Sequence, residues 1–340
     1  MRHQLQFLRV VFVAIAIFFG LTGIAAAQEI TGSIVGTVKD SNGAAVAGAT
    51  VRITNSDTKL VVRTVTTNDD GEFTVPLLPV AFYDITLEAT GFKKHIDERV
   101  KLNVNERRSV DIALAAGNVT ETVTVTSEQL QVDTQTATAS NVINGAQIVE
   151  LSLNNRNWAQ LITLSPGVTS NVADQIYVGT TNPSSGRSNQ MNFSVNGVRQ
   201  SSNTYTVDGA DTTDRGANLT VQTYPSVDAI REFVLLRGLY PAESGRSSGG
   251  QVNVVTKSGS SKFHGDVYEF WRNDKLNANT FFTNRNKPLG VDSNGKAIRA
   301  PLRYNNFGGT FSGPLVFPRF GEGGPSIVKG KTFFFFSEEF

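Results

Sequence analysis

The chain has no cysteine. That excludes disulfides, thiol chemistry and Cys-based zinc sites. Histidine is nearly as scarce, with only His3, His95 and His264. None has H-E-x-x-H spacing, so a metal pair is not indicated and His95 and His264 read as surface residues. Nor do they suggest a Ser-His-Asp set. Neither sign of charge dominates: 31 Lys and Arg face 30 Asp and Glu, a formal net of +1. That gives no reason to expect nucleic acid or a strongly basic membrane-binding surface. After residue 27 there is no apolar run of the roughly 18 residues that mark a transmembrane helix.

What is plentiful leans toward β structure. Gly numbers 31 and Phe 22, against 7 Tyr and 2 Trp, with Val and Thr frequent. A length of 340 residues suggests two or three domains. Arg2, His3 and Arg9 give a basic start, Val10 to Leu21 is apolar apart from Gly20, and Ala25-Ala26-Ala27 offers an A-x-A site. Residues 1–27 therefore read as a signal peptide, with an N-terminal membrane anchor as the rival reading.

Residues 28–116 read as a small antiparallel sandwich. Short alternating runs such as Ala49, Val51, Ile53 and Tyr83, Ile85, Leu87, Ala89 are separated by turn clusters at 40–43 and 68–71. GSIVGTVKDSNGAAVAGATVRITN and TTNDDGEFTVPLLPVAFYDITLEATGF resemble the carboxypeptidase regulatory-like domain. Such domains are usually appended modules without catalytic activity of their own.

ETVTVTSE, residues 121–128, lies in a linker taken as 117–140. It alternates like a strand, and its backbone groups are expected to be unpaired and open to strand addition. An eighth sandwich strand, or plain linker, is the alternative. The stretch resembles the TonB box of bacterial outer-membrane receptors. The resemblance implies that Glu121, Thr122, Val123, Thr124, Val125 and Thr126 pair with a periplasmic TonB protein.

Residues 141–258 change character. Asn154 to Asn157 can cap a helix carrying Trp158, Leu161, Ile162 and Ser165. Residues 192–211 read as two short strands joined by a polar turn, Ser226 to Phe233 as a short helix, and Val234 to Arg237 as a strand. LSLNNRNWAQLITLSPGV and the later run through Arg237, Gly238, Gly245, Arg246, Gly249, Gly250 and Val252 to Lys257 resemble the plug of TonB-dependent receptors. A mixed α/β, Gly-rich plug suits a polar barrel interior. The resemblance implies that Arg237 and Arg246 pair with a barrel wall, ordinary solvated charge being the alternative. Gly249-Gly250 permits close backbone approach or positive φ.

Residues 259–340 hold strand candidates at 263–274, 304–317 and 331–340. Their aromatics suit a membrane interface. Three strands cannot close a barrel, since bacterial barrels have at least about 8, so the chain reads as the N-terminal part of a longer one. Two other signals fail on inspection. Gly330-Lys331-Thr332 lacks the phosphate-loop glycine, because position 325 is Pro325. Asp208, Asp211 and Asp214 lack EF-hand order and read as a solvated loop.

The expectation is a mainly β chain: a sandwich, a mixed plug and the first strands of an incomplete transmembrane β-barrel in the outer membrane, with the sandwich in the periplasm. It would serve TonB-coupled uptake of an unknown ligand and contact outer-membrane lipid through the barrel. It would have no enzymatic activity, cofactor, metal or nucleic-acid partner. The alternative is a secreted or surface-attached interaction module built on the sandwich.

Overall fold

The structure, a computed structural model, describes residues 31–118, 122–126, 137–153, 156–170, 191–240, 244–319 and 326–340. The leader reading of residues 1–27 and Glu121 of the proposed coupling strand lie outside these. Among the described residues no helix is long and apolar enough to cross a membrane.

The first unit comprises β1 (Thr31–Asp40), β2 (Thr50–Asn55), β3 (Val61–Thr66), β4 (Glu72–Pro79), β5 (Ala81–Glu88), β6 (Lys94–Leu102), β7 (Arg107–Ser109) and β8 (Ile112–Leu114). One sheet runs β4-β1-β7, with β8 also on β1; the other runs β3-β2-β5-β6 and continues into β9 (Thr122–Thr126). Alternation explains the layering. Along β5, Ala81, Tyr83, Ile85 and Leu87 point inward while their neighbours face out. They meet Ile34, Val38, Val75 and Leu78 of the opposing sheet in one core. Turn chemistry sets the hairpins. Asp40 Oδ1 accepts the N–H groups of Asn42 and Ala44, both at 2.8 Å. Asn68 Oδ1 does the same for Asp70 and Glu72, and Gly71 turns the chain at φ 73°.

The hairpin pairings are antiparallel, but β7 and β8 run parallel to β1, and β9 runs parallel to β6. His95 is not the surface residue that the sequence suggested. It is buried, with Nε2 3.2 Å from Asp97 Oδ1. On β6 it shares the inward face with the neighbouring strand's Leu87, so alternation takes it into the sandwich rim.

The second unit is built on the sheet β10-β15-β16-β13-β14, with a separate pair β11-β12. The strands are β10 (Ala139–Asn144), β11 (Val168–Ser170), β12 (Phe193–Val195), β13 (Thr204–Val207), β14 (Ala210–Asp211), β15 (Ile230–Gly238) and β16 (Gln251–Thr256). A helix at Gly145–Glu150 starts with a capping box between Asn144 and Gln147. The helix expected after Asn157 forms as a 3-10 helix, Trp158–Leu164, capped by the Asn157 side chain. The helix expected over Ser226 to Phe233 does not form. Only Val227–Ala229 is helical, and Ile230 begins β15. β15 lies mid-sheet between β10 and β16, and Phe233 through Leu236 are buried. Such continuous apolar runs lose the alternation that identifies a strand. Of the two strands expected in 192–211, β12 pairs with β11 and β13 with β14 and β16, so they are not a hairpin.

The third unit is the antiparallel sheet of β17 (His264–Asn273), β18 (Arg303–Arg319) and β19 (Ser326–Glu339). Its two faces differ. One carries Asp266, Tyr268, Asn306, Thr310, Ser312, Ser337 and Glu339, and it faces the second unit: Ser337 Oγ is 3.0 Å from Ser226 Oγ. The other carries Val267, 93% exposed, with Trp271, Phe307, Phe311 and Phe336. Phe263 stacks on Phe311 there, with ring centroids 5.9 Å apart. Phe270, Phe333 and Phe335 also lie on the first face and Glu269 and Glu338 on the second, so the faces are mainly polar inside and mainly apolar outside, the tendency of a membrane β-barrel wall. Gly330 to Thr332 lies within β19. Asp211 and Asp214 serve their own turns, holding Thr213 and Gly216, while Asp208 accepts from Thr256 at the end of β16.

Leu87→Ala is expected to cost about 2–5 kcal/mol, because it empties a fully buried site. Val61→Ala, at an exposed position, should stay within about 0.5 kcal/mol. Urea midpoints by far-UV circular dichroism would compare the two.

Candidate coupling strand and plug interfaces

Thr122–Thr126 is a strand, but its backbone is not unpaired as the sequence reading expected. It adds in parallel to β6, from Lys94 opposite Thr122 to Glu98 opposite Thr126. β6 has β5 on one side only, so its other edge offers free N–H and C=O groups, and an alternating segment a few residues downstream is well placed to satisfy them. Directly paired residues share a face. Val123 therefore lies with His95 and Leu87, and Val125 with Asp97 and Ile85. The two valines thus lie on the core side of the sheet, at its edge, and remain 38% and 43% exposed.

The glycine-rich plug run is explained by close approach. A Cβ on Gly250 would lie 2.8 Å from Val195 Cγ2 and 2.9 Å from Leu235 Cδ1. One on Gly249 would lie 2.9 Å from the Ser202 carbonyl oxygen. Neither glycine has a positive φ. Their N–H groups donate to Ser202 O at 2.9 Å and to Asn203 Oδ1 at 2.8 Å. Gly245 O accepts from Gln251 Nε2 at 3.1 Å, and Gly238 ends β15. Arg246 is exposed in the left-handed region, at φ 70°. Arg237 Nη1 donates to Pro166 O at 3.0 Å, inside the plug.

The plug arginine that meets the third unit is Arg156, which the sequence reading did not single out. Its guanidinium pairs with Asp228 and, at 3.4 Å, with Glu339 of β19. It also stands 4.5 Å above the Tyr268 ring and 4.3 Å above that of Phe270, both on β17. Tyr268 donates to Glu339 at 2.8 Å. The planar cation thus meets carboxylates and two adjacent aromatic rings of one strand, whose centroids are 5.8 Å apart, an arrangement Lys cannot reproduce. Next door, Trp158 packs between Tyr224 and Phe233, with centroids at 5.2 and 5.3 Å, and Tyr224 donates to the cap residue Asn157. Burial pushes the Tyr224 phenol up. The Asn-Arg-Asn-Trp run therefore holds a wall contact, a helix cap and a core anchor in succession.

A third contact joins sandwich and plug. Glu232, 1% exposed, accepts the Val104 N–H at 2.8 Å and faces Lys101 Nζ at 3.6 Å. Burial raises its pKa, against the lowering pull of those partners and of Arg231. Asp57 Oδ2 lies 3.5 Å from Arg231, while its carbonyl accepts from Ser261 Oγ at 2.9 Å, just before β17.

Comparison with known proteins gives each unit a match. Residues 33–115 match the Carboxypeptidase regulatory-like domain, 132–252 the TonB-dependent Receptor Plug Domain, and 255–340 an Outer membrane beta barrel domain. The chain thus joins a match to a TonB-dependent receptor plug with a sandwich match before it and an outer-membrane barrel match after it. The TonB-dependent transporter Oar of Myxococcus xanthus is 25% identical over 317 residues, 90% of this chain and 27% of that protein. The chain thus spans about a quarter of that relative's length. Solved structures similar to it include the siderophore receptor PirA of Pseudomonas aeruginosa, with 18% identity, 52% of this chain and 24% of that one covered, and a TM-score of 0.33. The outer membrane transporter YddB of Escherichia coli has 16% identity, with 53% and 24% covered and a TM-score of 0.37.

Arg156→Ala leaves Asp228 buried without its partner and is expected to cost about 3–5 kcal/mol. Arg156→Lys should recover only part of it. Trp158 is buried and Trp271 exposed on the outer wall, so a red shift of tryptophan emission in urea reports plug opening. By the same readout, Gly250→Val should cost about 1–3 kcal/mol by overpacking.

Glu232 gives a pH dependence. Its raised folded pKa means that the folded state holds the proton more tightly than the unfolded one. Its contribution is complete below the ordinary value of 4.5 and is lost as pH rises through the raised value. Glu232→Gln should flatten that part of the stability-against-pH curve, measured as urea midpoints across the acidic range.

Proposed function

We propose that this chain serves gated, energy-coupled uptake across the outer membrane, with Thr122–Thr126 as the strand that TonB engages. The ligand enters from the outer face. TonB pairs with the strand on the periplasmic side, and the plug rearranges against the wall to open a path. The observation that supports this most is the chain order. A strand suited to edge addition runs directly into a plug whose Arg156 is held against the polar face of outward-apolar strands. The charges at Arg156, Asp228 and Glu339 give the plug a discrete contact to exchange on opening. The sandwich lies on the periplasmic side in this reading, next to the ends of β17 and β18 that carry His264 and Ser312. The exposed apolar wall residues contact lipid.

The test is binding of a TonB C-terminal domain to the chain in outer-membrane vesicles. Val123→Pro removes a backbone donor from the strand. Binding is expected to weaken at least tenfold. Undiminished binding would remove Thr122–Thr126 from the role.

A further inference from the structure

The strand read as the coupling element is already occupied. Its five residues form a parallel ladder with β6, and Val123 and Val125 share a face with the buried His95 and Asp97. Strand addition by any partner uses backbone groups for affinity and alternate side chains for specificity. Here the backbone of one edge is engaged within the chain by β6, while the alternate valines stay largely exposed on the face of the sandwich core.

We propose that the sandwich gates coupling: β6 and TonB compete for Thr122–Thr126, and TonB gains the strand only by displacing it from β6. This rests on that strand being the TonB-binding element. The physical terms suit a reversible latch. The ladder is short and parallel, a pairing slightly weaker per residue than an antiparallel one. The valines are only partly covered, so the hydrophobic contribution to docking is small. A partner strand running antiparallel and covering both valines would exceed it. Chain order explains why release matters. β9 lies between the sandwich and the plug, so a pull on it while docked loads the sandwich through β6. After release, the pull reaches the plug through residues 127–137. Docked, the strand also shields the open edge of β6, which would otherwise be a site for unwanted pairing.

The absence of cysteine makes a tether clean. Ile96 and Thr124 are directly paired across β6 and β9, on the face away from the core. The chain carrying Ile96→Cys and Thr124→Cys, in outer-membrane vesicles, is oxidised mildly. Disulfide formation is scored by thiol labelling, and TonB C-terminal domain binding is measured before and after dithiothreitol. Expected are ready cross-linking, at least a tenfold loss of binding when oxidised, and recovery on reduction. The unsubstituted chain should bind equally in both conditions. No cross-link would mean that β9 is not docked, and cross-linking with undiminished binding would mean that TonB adds to the outer edge of β9. Either result overturns the gate. If the unsubstituted chain does not bind TonB at all, the coupling-strand reading fails and the gate falls with it.

Discussion

Arg156 brings a full positive charge into a place that water scarcely reaches, and groups from two domains are needed to hold it there. Asp228 comes from the plug, while Glu339, Tyr268 and Phe270 come from the wall strands. Neither domain alone supplies a complete set. A buried ion that loses one partner is penalised heavily, whereas a fully paired one is close to neutral against an apolar substitute. Such a contact adds little net stability, but it specifies which plug surface meets which wall face. The rest of the plug is arranged to present that arginine. Asn157 caps the following helix, Trp158 anchors it in the core, and Gly249 and Gly250 let the loop from β12 to β13 close against the sheet behind it.

The sandwich takes part in this assembly through polar groups as well. Glu232 accepts a backbone N–H from the sandwich and faces Lys101, which makes a plug carboxylate part of the domain boundary. A hydrophobic seam also runs between the two, where Val80 and Val104 meet Val234 and Leu236. The contact combines apolar packing with one buried charge.

Much of this was legible in the sequence where the pattern was local. Alternation in residues 81–88 and the Asn and Gly turns specified the sandwich, and alternating aromatics marked the wall strands. β15 was harder to read because it lies mid-sheet, where inward and outward positions become equally apolar. The pairing of Thr122–Thr126 with β6 depends on a free sheet edge, which a linear reading does not display, and His95 is drawn inward by the same register. Arg156 was missed because its partners, Asp228 and Glu339, are far away along the chain. Its one local sign was its place directly before the cap residue Asn157.

Asp57 sits in the turn after β2, yet it touches both other units: its carboxylate faces Arg231 of the plug and its carbonyl receives Ser261 at the approach to the wall. The sandwich therefore touches the wall strands at their His264 end as well as through the chain that links it to the plug. On the uptake reading, a pull that moved the plug would have to strain or break the Asp57 junction, so the sandwich would act as a second point of resistance.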